Sequence, residues 1–377
     1  MSIRQMFPGS IVKPGFNPLA AQTSTTFYNL YMAGLNDQGQ LGLGDTTNRS
    51  SPTAVGSDYW VEISNTFYDS AAIKYNGTLW CWGFNNVGQS GLGNTTKYSS
   101  PKQVGALTTW SKVALGTSFT MAIKTDGTLW SWGQNSFGKL GLGNLTAYSS
   151  PKQVGVLTNW SKIACGNQHA ISVKTDGTLW TWGNNTFGQL GVTAPGAGLV
   201  NYSSPKQVGA LSTWVDAKAG NFSSIAIKSD GTIWTWGINA NGTLGLNNLT
   251  YYSSPKQVGL LTNWLKIASG EYSCSVIKTD GTLWTWGYNG AGQLGLGNTA
   301  DRSSPVQVGA LTTWSTIAIN ASTFSVKTDG TLWSWGENNY GQLGRGSTSR
   351  YSSPVQVGAL TTWSNASISG STSMMLG

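Results

Sequence analysis

Nearly the same eight residues recur six times along the chain, at 76–83, 126–133, 176–183, 230–237, 280–287 and 329–336. Each copy carries a turn dipeptide followed by Leu (once Ile) and a Trp-x-Trp-Gly core. The starts lie 50, 50, 54, 50 and 49 residues apart. A period of that size means one supersecondary unit copied along the chain, and it constrains the fold more than any composition could.

One copy can be read in chain order. Residues 110–116 alternate enough, with Val113 and Leu115 on one side, to form a short strand that ends at a glycine. Residues 120–124 have strand composition as well. Asp126-Gly127 then reads as a tight hairpin turn, because both residues tolerate positive φ. In the third strand, 128–132, the period of two puts Trp130 and Trp132 on one face and Leu129 on the other. Gly133 stops that strand, and Gly138, Gly141 and Gly143 make a loop around Leu140 and Leu142. Pro151 opens a short edge strand at 152–154, where its missing N–H is harmless. That makes four antiparallel strands per copy and nothing of helical period.

A single sheet of this kind cannot bury both faces. Copies stacked around an axis cover one another, which is the β-propeller solution. All 19 tryptophans fall in two slots, six Trp-x-Trp pairs and seven lone positions (60, 110, 160, 214, 264, 314 and 363). Such regularity reads as blade packing.

The mismatch of seven lone tryptophans against six pairs is resolved at the chain ends. Residues 364–377 fit strands one and two, with Met374, Met375 and Leu376 in the second. Residues 29–34 fit strand three, with Tyr31 and Ala33 in place of the tryptophans. One blade is therefore shared by the two ends. The expectation is an all-β, seven-bladed propeller over 27–377, its ring closed without an exposed edge, preceded by an extended arm at 1–26.

The pattern Asp-Gly-Thr-Leu-Trp-x-Trp-Gly-x-Asn-x-x-Gly-Gln-Leu-Gly resembles the regulator of chromosome condensation repeat over about residues 27–377. The resemblance implies a seven-bladed propeller. It also implies the family's nuclear role, nucleotide exchange on a small GTPase with chromatin docking. Residues 192–200 are shorter than the wedge hairpin that those exchange factors use, and the chain has no basic nuclear-type tail. Beta-lactamase inhibitory proteins of this fold suggest a second role, a soluble protein- or glycan-binding inhibitor. His169 is similar to the family's common histidine in this loop, which implies a structural role for it.

Only 10 % of the 377 residues are charged, against about 25 % in ordinary domains. The net charge of +8 comes largely from lysines recurring beside the turns, at 74, 124, 174, 228, 278 and 327. A second set, at 102, 152, 206 and 256, follows the prolines. Such spacing reads as a solvated rim, not the one-sided basic stripe with interleaved aromatics that nucleic acid requires. Cys81, Cys165 and Cys274 lie in different copies, without disulfide or zinc spacing, and read as buried small residues. No apolar run approaches a membrane span.

Catalysis is not expected, nor is any cofactor or metal. His169 is the only histidine, and Asp126, Asp176, Asp230, Asp280 and Asp329 are turn residues. No nucleophile elbow or phosphate loop is present. Binding is expected where the copies differ, in the loop joining strands one and two and in the position after Trp-Gly. The candidates are Phe67, Tyr68, Phe84, Phe119, His169, Phe222, Tyr272, Tyr288 and Glu337. The four-residue stretch of the period at 192–200 marks a further contact point.

The 1–26 segment carries prolines every few residues but no apolar block of the length a secretory leader needs. Its Met6, Phe7, Ile11, Val12, Phe16 and Leu19 are more apolar than a free tail requires. Together these features suggest a non-enzymatic ring mounted by its arm on a larger assembly. A virus or phage particle is the expected assembly, with virion subunits and a host protein or glycan as partners. Synthesis would be in a host cytoplasm, with a cytoplasmic location as the alternative.

Overall fold

The computed structural model describes residues 27–192 and 199–377. The proposed arm, with Met6, Phe7, Ile11, Val12, Phe16 and Leu19, lies outside the described residues, as does most of the 192–200 insertion. Among the described residues are 27 strands and a single 3-10 turn, Ser136–Gly138. The strands form five four-stranded antiparallel sheets and one of seven strands. The Trp110 unit is typical, with strands Trp110–Gly116, Phe119–Lys124, Leu129–Gly133 and Tyr148–Gln153.

The seven-stranded sheet is two units joined by one long strand. From Arg49 to Trp60 the strand Arg49–Asn65 pairs with Tyr28–Gly34, and from Trp60 to Asn65 it pairs with Asp69–Lys74. On its other side Tyr28–Gly34 pairs with Thr372–Leu376, in a register that sets Met32 against Met374. Asn365–Ile368 completes that unit. A four-stranded unit is thus built from both ends of the chain. It packs through Met374 and Leu376 against Trp60 and Trp82, and through Ala33 and Met375 against Phe324.

Two local readings need correction. Of the Asp-Gly turn residues only the glycine has positive φ (Gly127, +76°). The aspartate instead organises the turn with its side chain. Asp126 Oδ1 accepts from the Thr128 N–H (2.9 Å) and hydroxyl (2.6 Å), and Thr128 Oγ1 accepts from Trp130 Nε1 (2.9 Å). These bonds hold the Asp126 carboxyl below its ordinary range. The glycine is also sterically required: a Cβ on Gly127 would lie 2.0 Å from the Thr158 carbonyl oxygen of the next unit. The second correction concerns Pro151, which sits inside the fourth strand and not at its start. That strand is an edge whose ladder is already interrupted between Ser131 and Gly133, so no inter-strand bond is lost. Thr128→Val keeps the shape but removes both hydroxyl bonds. Urea denaturation should show it less stable by about 1–2 kcal/mol.

The core lies between units. Leu129, on one face of its sheet, packs with Trp160 and Trp182 of the next unit, while Trp132 faces the preceding unit with Trp110. The second tryptophan of every pair is fully buried. Its Nε1 donates to a main-chain carbonyl of the preceding unit, as in Trp132 to Gln89 (2.9 Å) and Trp182 to Lys139 (3.0 Å). Loop leucines such as Leu140 are fully buried beside these rings.

The turn-adjacent lysines are not a solvated rim. Antiparallel register sets each against the lone tryptophan of its own sheet, as Lys124 against Trp110. Its ammonium then lies over two indoles, at 3.7 Å from Trp130 and 5.1 Å from Trp110. Lys74, Lys174, Lys228, Lys278 and Lys327 repeat the arrangement. A cation held over indole faces with its stem covered is worth more than a solvated one. The second set is exposed, with each ammonium over a tyrosine, such as Lys152 over Tyr148 at 5.4 Å. Cys81 and Cys274 are buried as expected, whereas Cys165 is only half-buried.

Candidate functional site

The loops joining strands one and two, singled out for their variability, converge. Residues from all seven units, among them Asn65, Thr117, Asn167, Asn221, Glu271, Asn320 and Ser369, line one polar cavity, with Cys165 at its wall. Each loop is anchored by the residue that opens strand two, set opposite the glycine ending strand three, as Phe119 opposite Gly133 and His169 opposite Gly183. Side-chain bonds run from unit to unit around this mouth. Asn167 Nδ2 donates to Asn221 Oδ1 (2.7 Å), and Asn221 Nδ2 donates to Tyr272 Oη (2.9 Å). Asn65 Nδ2 donates to the Thr372 carbonyl (2.8 Å) and so ties in the unit made from the chain ends.

Four of the candidate residues meet in one cleft at this mouth. Phe67, Tyr272, Tyr288 and Glu337 line a space of about 380 Å³ together with Asn241, Glu271 and Asn320. Burial, and secondarily the nearby Glu337, push the Glu271 carboxyl above its ordinary range. Glu337 is held by Asn339 Nδ2 (2.6 Å) and lies 3.5 Å from Arg350. Phe67 and Tyr288 remain exposed. Two carboxylates between aromatic faces make a site for a cationic group, attracted by the charges and by the ring quadrupoles.

The other candidates divide. Tyr68 and Phe84 extend the aromatic surface from Phe67, with ring centroids 6.1 and 6.0 Å apart in succession. Phe222 does not line the cleft and meets Phe187 edge to face (5.1 Å). Phe119 and His169 are not loop tips. Both are fully buried, and each lies over a glycine whose missing Cβ leaves room, Gly116 and Gly166. His169 Nε2 pairs with Ser224 Oγ (3.0 Å), while burial holds its ring neutral and lowers its pKa to about 4. Glu271, Asn241 and Asn320 were missed as site residues, although Glu271 and Asn320 occupy or adjoin the variable loop slot.

Six repeated sheet units, a seventh drawn from the chain ends, and variable loops gathered at one mouth define a propeller-type repeat protein. The RCC1-like domain family matches residues 29–376, and the chain belongs to that family. Its fold is similar to that of yeast RCC1 (Prp20) in complex with Kap60, at 18 % identity and a TM-score of 0.82, covering 94 % of this chain and 89 % of that one. Prp20p from Saccharomyces cerevisiae, studied for its binding to Gsp1p and histones, matches equally at 18 % identity and 0.82, over 94 % and 92 %. Human WBSCR16 aligns at 19 % identity and 0.82, over 93 % and 98 %. At these identities the likeness concerns the fold. No curated protein matches the sequence.

Proposed function

We propose that the chain is a closed seven-bladed propeller acting as a non-enzymatic binding protein. It grips a partner protein by a basic side chain held between Glu271 and Glu337 and the rings of Phe67, Tyr272 and Tyr288. The carrying observation is the convergence of those residues, drawn from three different units, in one cleft at the loop mouth. Closure is supported by the pairing of first and last strands and by the packing of their unit on both neighbours. The non-enzymatic reading is supported by a single histidine buried in neutral form and by repeat aspartates engaged in turns.

The test is a peptide array in which single lysines and arginines are scanned through neutral sequences. Captured peptides should need the basic residue, and the double variant Glu271→Gln/Glu337→Gln should bind at least about tenfold more weakly. Capture that ignores charge, or an unchanged double variant, sinks the reading. Binding confined to a glycan array would favour the glycan-binding alternative, and accelerated nucleotide release from a GTPase panel the exchange-factor alternative. The family's fold accommodates either. Mounting on a virus or phage particle, with residues 1–26 as the attachment, is proposed from the apolar residues of that segment. Particle density that leaves 1–26 unaccounted for would speak against it.

A further inference from the structure

The loop-mouth cleft has walls that the repeat itself does not supply. Two of its three rings are seated on glycines that occur in one unit alone. Seven residues after the lone tryptophan, only the unit made from the chain ends has glycine, Gly370. A Cβ there would collide with the Phe67 ring, so its absence lets that ring reach across the chain-end unit to the cleft. Four residues after the second tryptophan of each pair, only the Trp264 unit has glycine, Gly290. A Cβ at that place would collide with the Tyr288 ring. The third ring, Tyr272, is held through its hydroxyl, which accepts from Asn221 Nδ2 (2.9 Å). Phe67 and Tyr288 are exposed, so the cleft is open to solvent.

Charge comes from one side. Glu337 lies 3.5 Å from Arg350, which offsets it. Among the described residues no side chain donates to or pairs with the half-buried Glu271 carboxylate. The cleft of about 380 Å³ is thus lined by three rings and one uncompensated negative charge. A primary ammonium or a guanidinium brings several N–H donors, each of which needs an acceptor on leaving water. The rings supply none. A quaternary ammonium has no N–H, and it is attracted by the ring quadrupoles as well as by the carboxylate.

We propose that the basic group gripped in this cleft is a quaternary ammonium, carried by a trimethylated lysine of the partner protein. This rests on the function proposed above and narrows its ligand. Phe67, Tyr272 and Tyr288 take the methyl groups, and Glu271 balances the charge.

Choline is the probe for the chemistry, titrated into the full chain by calorimetry. Its controls are 3,3-dimethylbutan-1-ol, which has the same shape without the charge, and ethanolamine, which has the charge without the methyl groups. Choline should bind saturably, at least about tenfold tighter than either. Gly290→Asn installs the residue that the Trp60 and Trp314 units carry, at 86 and 339. Its thermal midpoint should stay near that of the parent, while Tyr288 loses its seat and choline binding falls about fivefold or more. Glu271→Gln should weaken choline and leave the neutral alcohol unchanged. A neutral peptide bearing one trimethyl-lysine, beside its unmethylated form, tests the source. Tighter binding of the methylated peptide by about tenfold, lost in Gly290→Asn, supports the proposal. Choline binding with neither peptide captured moves the ligand to a free small molecule and overturns the assignment to a partner protein. Equal affinity for choline and either control, or a lysine peptide that binds as well without its methyl groups, overturns the quaternary ammonium while the basic-side-chain reading stands. No binding of choline or of either peptide sinks both.

Discussion

Trp182→Ala should destabilise the protein more than Trp236→Ala, although both indoles are fully buried at equivalent junctions. Each substitution opens a cavity between units, and losses of roughly 3–5 kcal/mol follow from that alone. The difference arises at the carbonyl that each indole serves. Trp236 Nε1 donates to the Gln189 carbonyl (2.9 Å), which also accepts from Ser224 Oγ (2.9 Å) and keeps that bond in the variant. Trp182 Nε1 donates to the Lys139 carbonyl, and the residue in the serine's slot is Ala170, with no hydroxyl to offer. Removing Trp182 therefore strands a buried acceptor, for about 1–2 kcal/mol more. Urea midpoints of the two variants, and of Trp182→Phe to separate bond from volume, check this. Equal losses would mean that the carbonyl clamp contributes nothing.

The second expected result is a pH profile that two single substitutions tilt in opposite directions. Asp69 and His169 hold the same register slot, opposite Gly83 and Gly183, in neighbouring but one units. Burial raises the Asp69 carboxyl from 3.8 to about 7, with the Gln89 side chain pulling partly the other way, and its Oδ2 has no hydrogen-bond partner among the described residues. Burial lowers the His169 imidazole from 6.5 to about 4. Between those values the native state holds a proton on Asp69 that the unfolded chain has given up. Stability from that group falls as pH rises from about 4 to about 7. For His169 the unfolded chain takes the proton that the native state refuses, so its stability falls as pH drops from about 6.5 to about 4.

In the parent protein the two slopes oppose each other between about pH 4.5 and 6.5. Glu271 adds weakly to the Asp69 side, because its own pKa is raised. Asp69→Asn should lose on the order of 3 kcal/mol as pH falls through that window, and His169→Ser should gain a similar amount. Serine is the residue that three other units carry in the slot, at 223, 273 and 322. Denaturation curves at several pH values decide it. Parallel profiles for parent and both variants would show that neither group is held in its buried protonation state.

Much of the fold could be read from glycines, turn residues and the period of two, because these are local constraints. The first strand of the Trp110 unit and the completion of one sheet by both chain ends came out as expected. The lysines were misread because, in one dimension, a charge beside a turn resembles a solvated one. Only cross-strand register puts Lys124 opposite Trp110. Phe119 and His169 were misplaced by a single position: each opens a strand instead of tipping a loop, and the glycine partner that makes room lies three residues back. In the candidate site the variable slots pointed to Phe67, Tyr272, Tyr288 and Glu337. Their adjacency is a property of curvature between units, which no local pattern encodes.

The antiparallel pairing of Tyr28–Gly34 with Thr372–Leu376 also sets how the molecule would carry load. Asn29 and Gly377 exchange backbone hydrogen bonds (3.0 and 3.2 Å), so a pull applied at those two points acts across the ladder. The rungs then break singly, like the teeth of a zip, and never resist together in shear. A tether through both ends would open this sheet at low force, whereas anchorage at a single end leaves the ladder unstrained.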